Sequence, residues 1–404
     1  MIAMMWLGNS NWRGGRCRSW PGLLLGVTLG VSLLHLNAQQ SPVPGEGPLG
    51  FSVPKPGRAF EFPRDHGSHP EFSIEWWYLT GHLLEPDGIR HGFQATFFRR
   101  AAPPGPVPDA PATTAFGDRQ LYLAHMALLD GGSGTFLHQE RLNRDGWDAG
   151  ASTNTLDLHN GNWSLRWKTA SVGASENPLV MELRGGIRSE ASFRLTLVPR
   201  KPLLIFGTNG VSRKAADPAA SSHYLTFSRL DVSGELILSG RQRAVRGEVW
   251  MDHEFSSSQL GAGQVGWDWA GIQLADGREL MAYRMRRSDG TQDPFSTLAW
   301  IDRQGNVRHV GPSEFEWKSE GEWKSPASGA VYPARVRLTT RDPESGTKVV
   351  LWIEPLLAAQ ELTGAIGGIA YWEGACRVRD AEGREIGSAF LEMTGYAVSM
   401  AGRL

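Results

Sequence analysis

Trp250, Asp252, His253 and Glu254 stand together in this chain, and Trp267, Asp268 and Trp269 follow a short way on. Adding water across a double bond, or cleaving a bond with water, needs a proton donor and a base. Carboxyl groups in partly apolar surroundings can be tuned to both tasks. Asp252, His253 and Asp268 are therefore candidate catalytic residues, with Glu254 beside them. The tryptophans suit a binding wall, since each offers a large apolar face and one N–H donor. In an extended segment Trp250, Asp252 and Glu254 share one face, while Met251, His253 and Phe255 take the other. That parity disfavours an Asp252–His253 dyad and turns Asp268 away from Trp267 and Trp269. The same residues also have an ordinary use: strand-end carboxylates pair with arginine, and tryptophan pairs plug barrels.

Hairpins must position these residues. Asp276-Gly277 separates two alternating segments between 266 and 286, the strongest short-range hairpin signal. The same grammar recurs at 76 to 100, turning at Asp87-Gly88, and at 371 to 392, turning at Glu382-Gly383. Further short alternating runs lie at 121–129, 135–140, 153–158, 162–168, 178–183, 191–198 and 223–230, and then at 246–251, 296–301, 306–310, 331–339 and 347–354. With 49 Gly, 16 Trp and no heptad-like spacing, the chain is expected to be all-β. Its 404 residues exceed one ordinary core, so two domains are expected, at 58–240 and 241–404. Each half suits a closed or nearly closed antiparallel β-barrel able to hold a small apolar ligand. The functional pocket is expected against the 266–286 hairpin, with Trp250, His253, Trp267, Trp269 and Tyr283 lining or directly supporting it and Trp77 and Tyr78 of the first hairpin contributing.

A net charge of −1 gives no attraction for nucleic acid or an anionic membrane surface. There is no phosphate loop, no His-Glu-x-x-His helix, no cysteine cluster and no Gly-x-Ser-x-Gly elbow, so no cofactor is implied and a serine hydrolase is disfavoured. His66 and His69 beside Asp65 suggest metal ligands, but no third and fourth ligand can be placed; no metal is expected, and Arg64 and Asp65 are read as pairing with neighbours in a loop. Cys376 reads as a small core residue. Arg13, Arg16 and Arg18 precede an apolar run from Trp20 to Leu36 that ends at Ala38, the pattern of a secretory signal cleaved after Ala38. Export to the periplasm or medium is the expectation. Residues 39–57 read as a flexible leader, 101–114 and 213–222 as surface loops.

Phe62-Pro63-Arg64-Asp65-His66-Gly67 leading to Glu75-Trp76-Trp77-Tyr78, then Trp250-Met251-Asp252-His253-Glu254-Phe255, Gly266-Trp267-Asp268-Trp269 and Tyr371-Trp372-Glu373-Gly374 together resemble the AttH-like secreted proteins. These are related to carotenoid 1,2-hydratases of the hydroxyneurosporene synthase type. The resemblance spans nearly the whole chain after the leader and implies a tandem pair of lipocalin-like, calycin-type antiparallel β-barrels. In the hydratases a His-x-Trp and a Tyr-x-Asp pattern matter; here they fall on His253-Glu254-Phe255 and Tyr283-Arg284-Met285. His253 and Tyr283 are retained, which adds Tyr283 to the catalytic candidates. Phe255 and Met285 replace the Trp and the Asp, so carotenoid hydration itself is not implied. What the resemblance implies is a cofactor-free hydrolase or hydratase acting on a lipid- or polyene-like molecule, or else a non-catalytic carrier of such a ligand. The expected partners are a hydrophobic small molecule and, at most, a peripheral link to a membrane transport system.

Overall fold

The computed structural model describes residues 50–101, 120–168, 179–364, 366 and 368–402. The signal, most of the leader and nearly all of the 101–114 loop lie outside them. The first sheet contains β1 (Ile74–Leu84), β2 (Arg90–Ala101), β3 (Gln120–Asp130), β4 (Thr135–Arg144), β5 (Ala149–Ala151), β6 (Asp157–Asn160), β7 (Trp163–Trp167), β8 (Met181–Ile187), β9 (Ala191–Pro199), β10 (Leu204–Ile205), β11 (Ser212–Arg213), β12 (Ser221–Leu238) and β13 (Arg241–Ser258). Its strand order is β4-β3-β2-β1-β13-β12-β9-β8-β7-β6-β5, with β10 and β11 added to β12. The two end strands are consecutive in the chain. Asn143 of β4 donates to the Asn160 side chain of β6 (2.7 Å), and Arg141 donates to the Asn162 side chain, which nearly closes the first barrel.

The second sheet contains β14 (Gln264–Leu274), β15 (Glu279–Arg287), β16 (Thr297–Ile301), β17 (Val307–Val310), β18 (Glu316–Lys324), β19 (Val331–Arg341), β20 (Lys348–Pro355), β21 (Glu361–Thr363), β22 (Ala370–Arg379) and β23 (Glu385–Met393). Its order is β17-β16-β15-β14-β23-β22-β20-β19-β18, with β21 on β22. All pairings in both sheets are antiparallel, and the three hairpins expected from Asp-Gly and Glu-Gly turns are β1–β2, β14–β15 and β22–β23.

Several boundaries differ from expectation. The chain leaves the first sheet after Ser258, not at 240. Residues 239 and 240 are the tip of the β12–β13 hairpin: Ser239 (φ 51°) and Gly240 (φ 76°) both adopt the left-handed conformation that a two-residue hairpin turn requires. The expected boundary at 240 thus falls on a hairpin turn inside the first sheet. β18 was not anticipated: all five of its charges lie on one face, and the other, Trp317, Ser319, Gly321 and Trp323, carries only two apolar residues, a weak alternation that suits a strand at a sheet edge. The end of the leader packs as well: Phe51 is buried and Ser52 N–H donates to the Glu71 carbonyl.

Three apolar clusters follow from strand alternation. One fills the first barrel around Leu79, Phe93, Met126, Leu195 and Met251, another fills the second around Ile272, Trp300, Leu338 and Trp372. Each fully buried Leu or Met contributes roughly 2 kcal/mol by leaving water. The third lies between the barrels and includes Tyr78, Tyr224, Trp250, Trp269, Tyr283 and Phe390. Polar ties cross the same seam. Glu279 of β15 accepts from Lys201 Nζ and Arg229 Nε, both at 2.6 Å, and Gln273 of β14 donates to the Ser228 carbonyl (2.8 Å).

Candidate active site

β13 lies between β1 and β12, with Tyr78 opposite Asp252 on one side and Thr226 opposite Asp252 on the other. Period-two alternation sends Trp250, Asp252 and Glu254 outward to the seam and Met251, His253 and Phe255 into the first barrel. Across the seam, β14 presents Trp267 and Trp269, β15 presents Tyr283 and Met285, and β23 presents Glu392. Together with Trp76, Tyr78, Tyr224 and Lys214 they enclose a cavity of about 100 Å³. Asp252, Glu254, Lys214 and Tyr224 are buried, whereas Trp76, Phe98, Trp267 and Glu392 keep partial exposure. The cavity therefore has a dry end at Asp252 and a mouth at Trp267 and Glu392.

Asp252 is held by three donors: Thr226 Oγ1 (2.6 Å), Tyr224 OH (2.7 Å) and Trp250 Nε1 (2.8 Å). Burial, reinforced by the Glu254 carboxylate, prevails over those donors and pushes the Asp252 carboxyl up to about 7. Trp269 Nε1 donates to Tyr224 OH (3.1 Å), so an indole–phenol–carboxyl chain runs from the second barrel into the first. Burial and the Asp252 charge raise the Tyr224 phenol well above its ordinary value, keeping it a donor. Glu254 accepts from Ser222 Oγ and pairs with Lys214 Nζ (3.1 Å). Burial works against the Lys214 charge, but Glu254, Tyr283 and Asp252 outweigh it and raise its value. The ammonium also sits 4.8 Å and 4.5 Å from the ring centres of Tyr224 and Tyr283. Glu392 accepts from Trp267 Nε1 (3.0 Å), and burial pushes its carboxyl up to about 7.

The expected site residues separate accordingly. Asp252, Trp267, Trp269, Tyr283 and Tyr78 line the cavity, and Trp250 stands behind Asp252, 5.9 Å from Trp269. Gly271 permits that approach, since a Cβ there would come within 2.6 Å of the Trp269 ring. His253 and Trp77 do not reach the cavity. Their rings stack at 4.7 Å inside the first barrel, and Trp77 Nε1 donates to the His66 carbonyl. Asp268 also faces away, into the second barrel, where Arg286 Nε lies at 3.1 Å and Arg284 Nη1 at 3.5 Å. These three corrections have one cause: neighbouring residues on a strand point to opposite faces. Tyr224, Thr226, Lys214 and Glu392 were missed as site residues. Tyr224 and Thr226 share a parity within the 223–230 run, a signal without a partner in sequence, and Lys214 lay in the expected surface loop although it is buried. Cys376 is a buried core residue on β22, as expected.

His253 joins a second polar cluster. Its Nε2 lies 2.9 Å from Glu75 Oε1, which also meets His69 Nδ1 at 2.8 Å; the other His69 nitrogen meets Asp65 at 3.0 Å. His69, Glu75 and His253 bring three ligand atoms within 4.8 Å of one another. A cation fits poorly there, because Arg58, Arg64 and Arg99 already compensate the Asp65 and Glu75 carboxylates and a divalent ion would add uncompensated buried charge.

The AttH-like family model matches residues 53–396. The crystal structure of an AttH protein from Nitrosomonas europaea is 33% identical, with a TM-score of 0.74, over 86% of this chain and 100% of that one. Kievitone hydratase from Nectria haematococca shares the fold at 12% identity, with a TM-score of 0.60, over 87% of this chain and 96% of its own. No curated protein sequence matches the chain.

Proposed function

The chain belongs to the AttH-like family, and from that premise we propose that it is an exported, cofactor-free hydratase acting on a hydrophobic, polyene- or lipid-like molecule in the cavity between its barrels. The observation that carries this reading is Asp252. It is a carboxyl at the dry end of an aromatic cavity, pushed up to about 7, and so still protonated in part near neutrality. A neutral carboxylic acid beside an alkene can protonate it, and the faces of Trp269, Tyr224 and Tyr283 would stabilise the positive charge that develops. Tyr224, Thr226 and Trp250 would then hold the Asp252 carboxylate left behind, since all three already donate to it.

A hydrolase acting in the same pocket is less well supported, because the Tyr224 hydroxyl and the Lys214 amine on the cavity wall are both raised above their ordinary values and so held protonated rather than nucleophilic. The carrier reading is favoured by Met285, an apolar cavity residue where the related hydratases have an acid. Incubating purified protein with a panel of acyclic isoprenoid alkenes in ¹⁸O-labelled water separates the two. Hydration places the label in an alcohol product, and wild-type turnover should vanish in Asp252→Asn. Tight retention of the alkene with no label taken up would establish the carrier instead.

A further inference from the structure

We propose that Glu392 is the second catalytic residue of this pocket, the base that draws a proton from water at the cavity mouth, so that each barrel supplies one half of the acid–base pair. The inference rests on the hydration reading. Glu392 lines the cavity from β23, on the opposite barrel from Asp252, and is partly exposed where Asp252 is buried, so it meets water first. Trp267 Nε1 fixes Oε2 at 3.0 Å, and no other side-chain hydrogen bond to Glu392 exists among the described residues, which leaves Oε1 free to accept from water. A general base needs that reach to the proton it takes.

The surroundings of Glu392 decide whether it can ionise. Directly opposite on β22 stands Glu373, which accepts from Tyr78 OH of β1 and lies 3.4 Å from Gln94 Nε2 of β2. Two carboxylates facing each other on neighbouring strands cannot both ionise cheaply. Burial, with the Glu392 charge, holds the Glu373 carboxyl well above its ordinary value. Glu373 is fully buried whereas Glu392 keeps partial exposure at the mouth, so Glu392 is the member whose charge water can solvate and the one that ionises. The remaining charged groups around Glu392 are Asp252 and Glu254 of β13 and Asp268 on the far face of β14; Lys214 is paired with Glu254.

In the step itself, the Asp252 proton forms a C–H bond with one alkene carbon while the π electrons leave the other carbon cationic. The water oxygen bonds to that cation, and its surplus proton passes to Glu392. The alkene gains one water, Asp252 ends as carboxylate and Glu392 as carboxylic acid; exchange with solvent returns each to its starting state.

Farnesol in water labelled with ¹⁸O and deuterium tests the assignment through two readouts. Wild-type protein should incorporate ¹⁸O into a diol and deuterium into recovered farnesol. Glu392→Gln should lower ¹⁸O uptake roughly 100-fold or more, the usual scale for loss of an acid–base group, while deuterium exchange through Asp252 persists. Asp252→Asn should abolish both. Trp267→Phe removes a donor that stabilises the Glu392 carboxylate, so the limb of the rate profile that rises with pH should move to higher pH. If Glu392→Gln takes up ¹⁸O at the wild-type rate, the assignment of the base is wrong although the hydration reading stands. A wild-type protein inert in both readouts overturns the hydration reading and the role of Glu392 with it.

Discussion

The two faces of β13 each carry a buried polar cluster, and the clusters obey opposite charge rules. On the inner face, His253 meets Glu75, and every carboxylate oxygen of Asp65 and Glu75 has a partner: Arg58, Arg64 and His69 on Asp65 Oδ1, the Glu61 amide on Oδ2, His69 and His253 on Glu75 Oε1, and Arg99, Ser68 and the His69 amide on Oε2. Burial alone would raise Glu75, but Arg99 and the two histidines hold it well below the carboxylate range. Burial likewise opposes charge on His69, yet Asp65 and Glu75 raise it. On the outer face, Asp252, Glu254 and Glu392 meet one cation in the cavity wall, Lys214. Saturated carboxylates stay ionised and stiffen the barrel; Asp252 and Glu392, buried with less compensation, are pushed up to about 7, where a carboxyl can give or take a proton.

That contrast is most severely tested by Arg99→Ala, which leaves Glu75 buried with one guanidinium fewer. Breaking such a pair should cost about 3–5 kcal/mol, read as a lower urea midpoint with an unchanged slope. A loss below about 1 kcal/mol, the scale of an exposed pair, would put the inner cluster in the same class as surface ion pairs.

Next in size is Asp252→Asn, which should leave the fold intact and lower hydration by at least roughly 100-fold. It should also change how stability depends on pH. The folded value of Asp252, about 7, lies above its ordinary value of 3.8. Its stabilising contribution is therefore fully present below about 4 and is lost as pH rises towards about 7. Thermal melts across that window should fall less steeply with pH in the Asn variant. An unchanged slope would show that Asp252 ionises as an ordinary carboxyl.

Smaller effects separate the two aromatic populations. Trp267→Ala should weaken Nile red binding by roughly 1 kcal/mol or more, as for loss of a pocket aromatic, with little change in melting temperature. Trp77→Ala should do the reverse, because its ring fills the first barrel and a large-to-small change there leaves a cavity costing about 3–5 kcal/mol. A sharp fall in the melting temperature of Trp267→Ala, with affinity unchanged in the folded fraction, would remove Trp267 from the binding wall. The smallest change expected is in probe binding by His253→Gln: affinity within about 0.5 kcal/mol of wild type, the additivity limit for distant sites.

Period-two alternation and the Asp-Gly and Glu-Gly turns were enough, without tertiary information, to give an all-β chain, its three main hairpins and the parity that parts Asp252 from His253 and Asp268 from its flanking tryptophans. These are local properties of a pleated backbone, carried by residues one or two positions apart. Tertiary structure decided which parity meets the other barrel. The Asp252 carboxyl is pushed up to about 7 only because the closed seam buries it, against the pull of its donors Thr226 and Tyr224 on β12, and Glu392 becomes a cavity residue only when β23 pairs with β14. No spacing in the sequence announces those encounters, because desolvation and charge balance depend on segments far apart in the chain that meet only when both barrels have closed and docked.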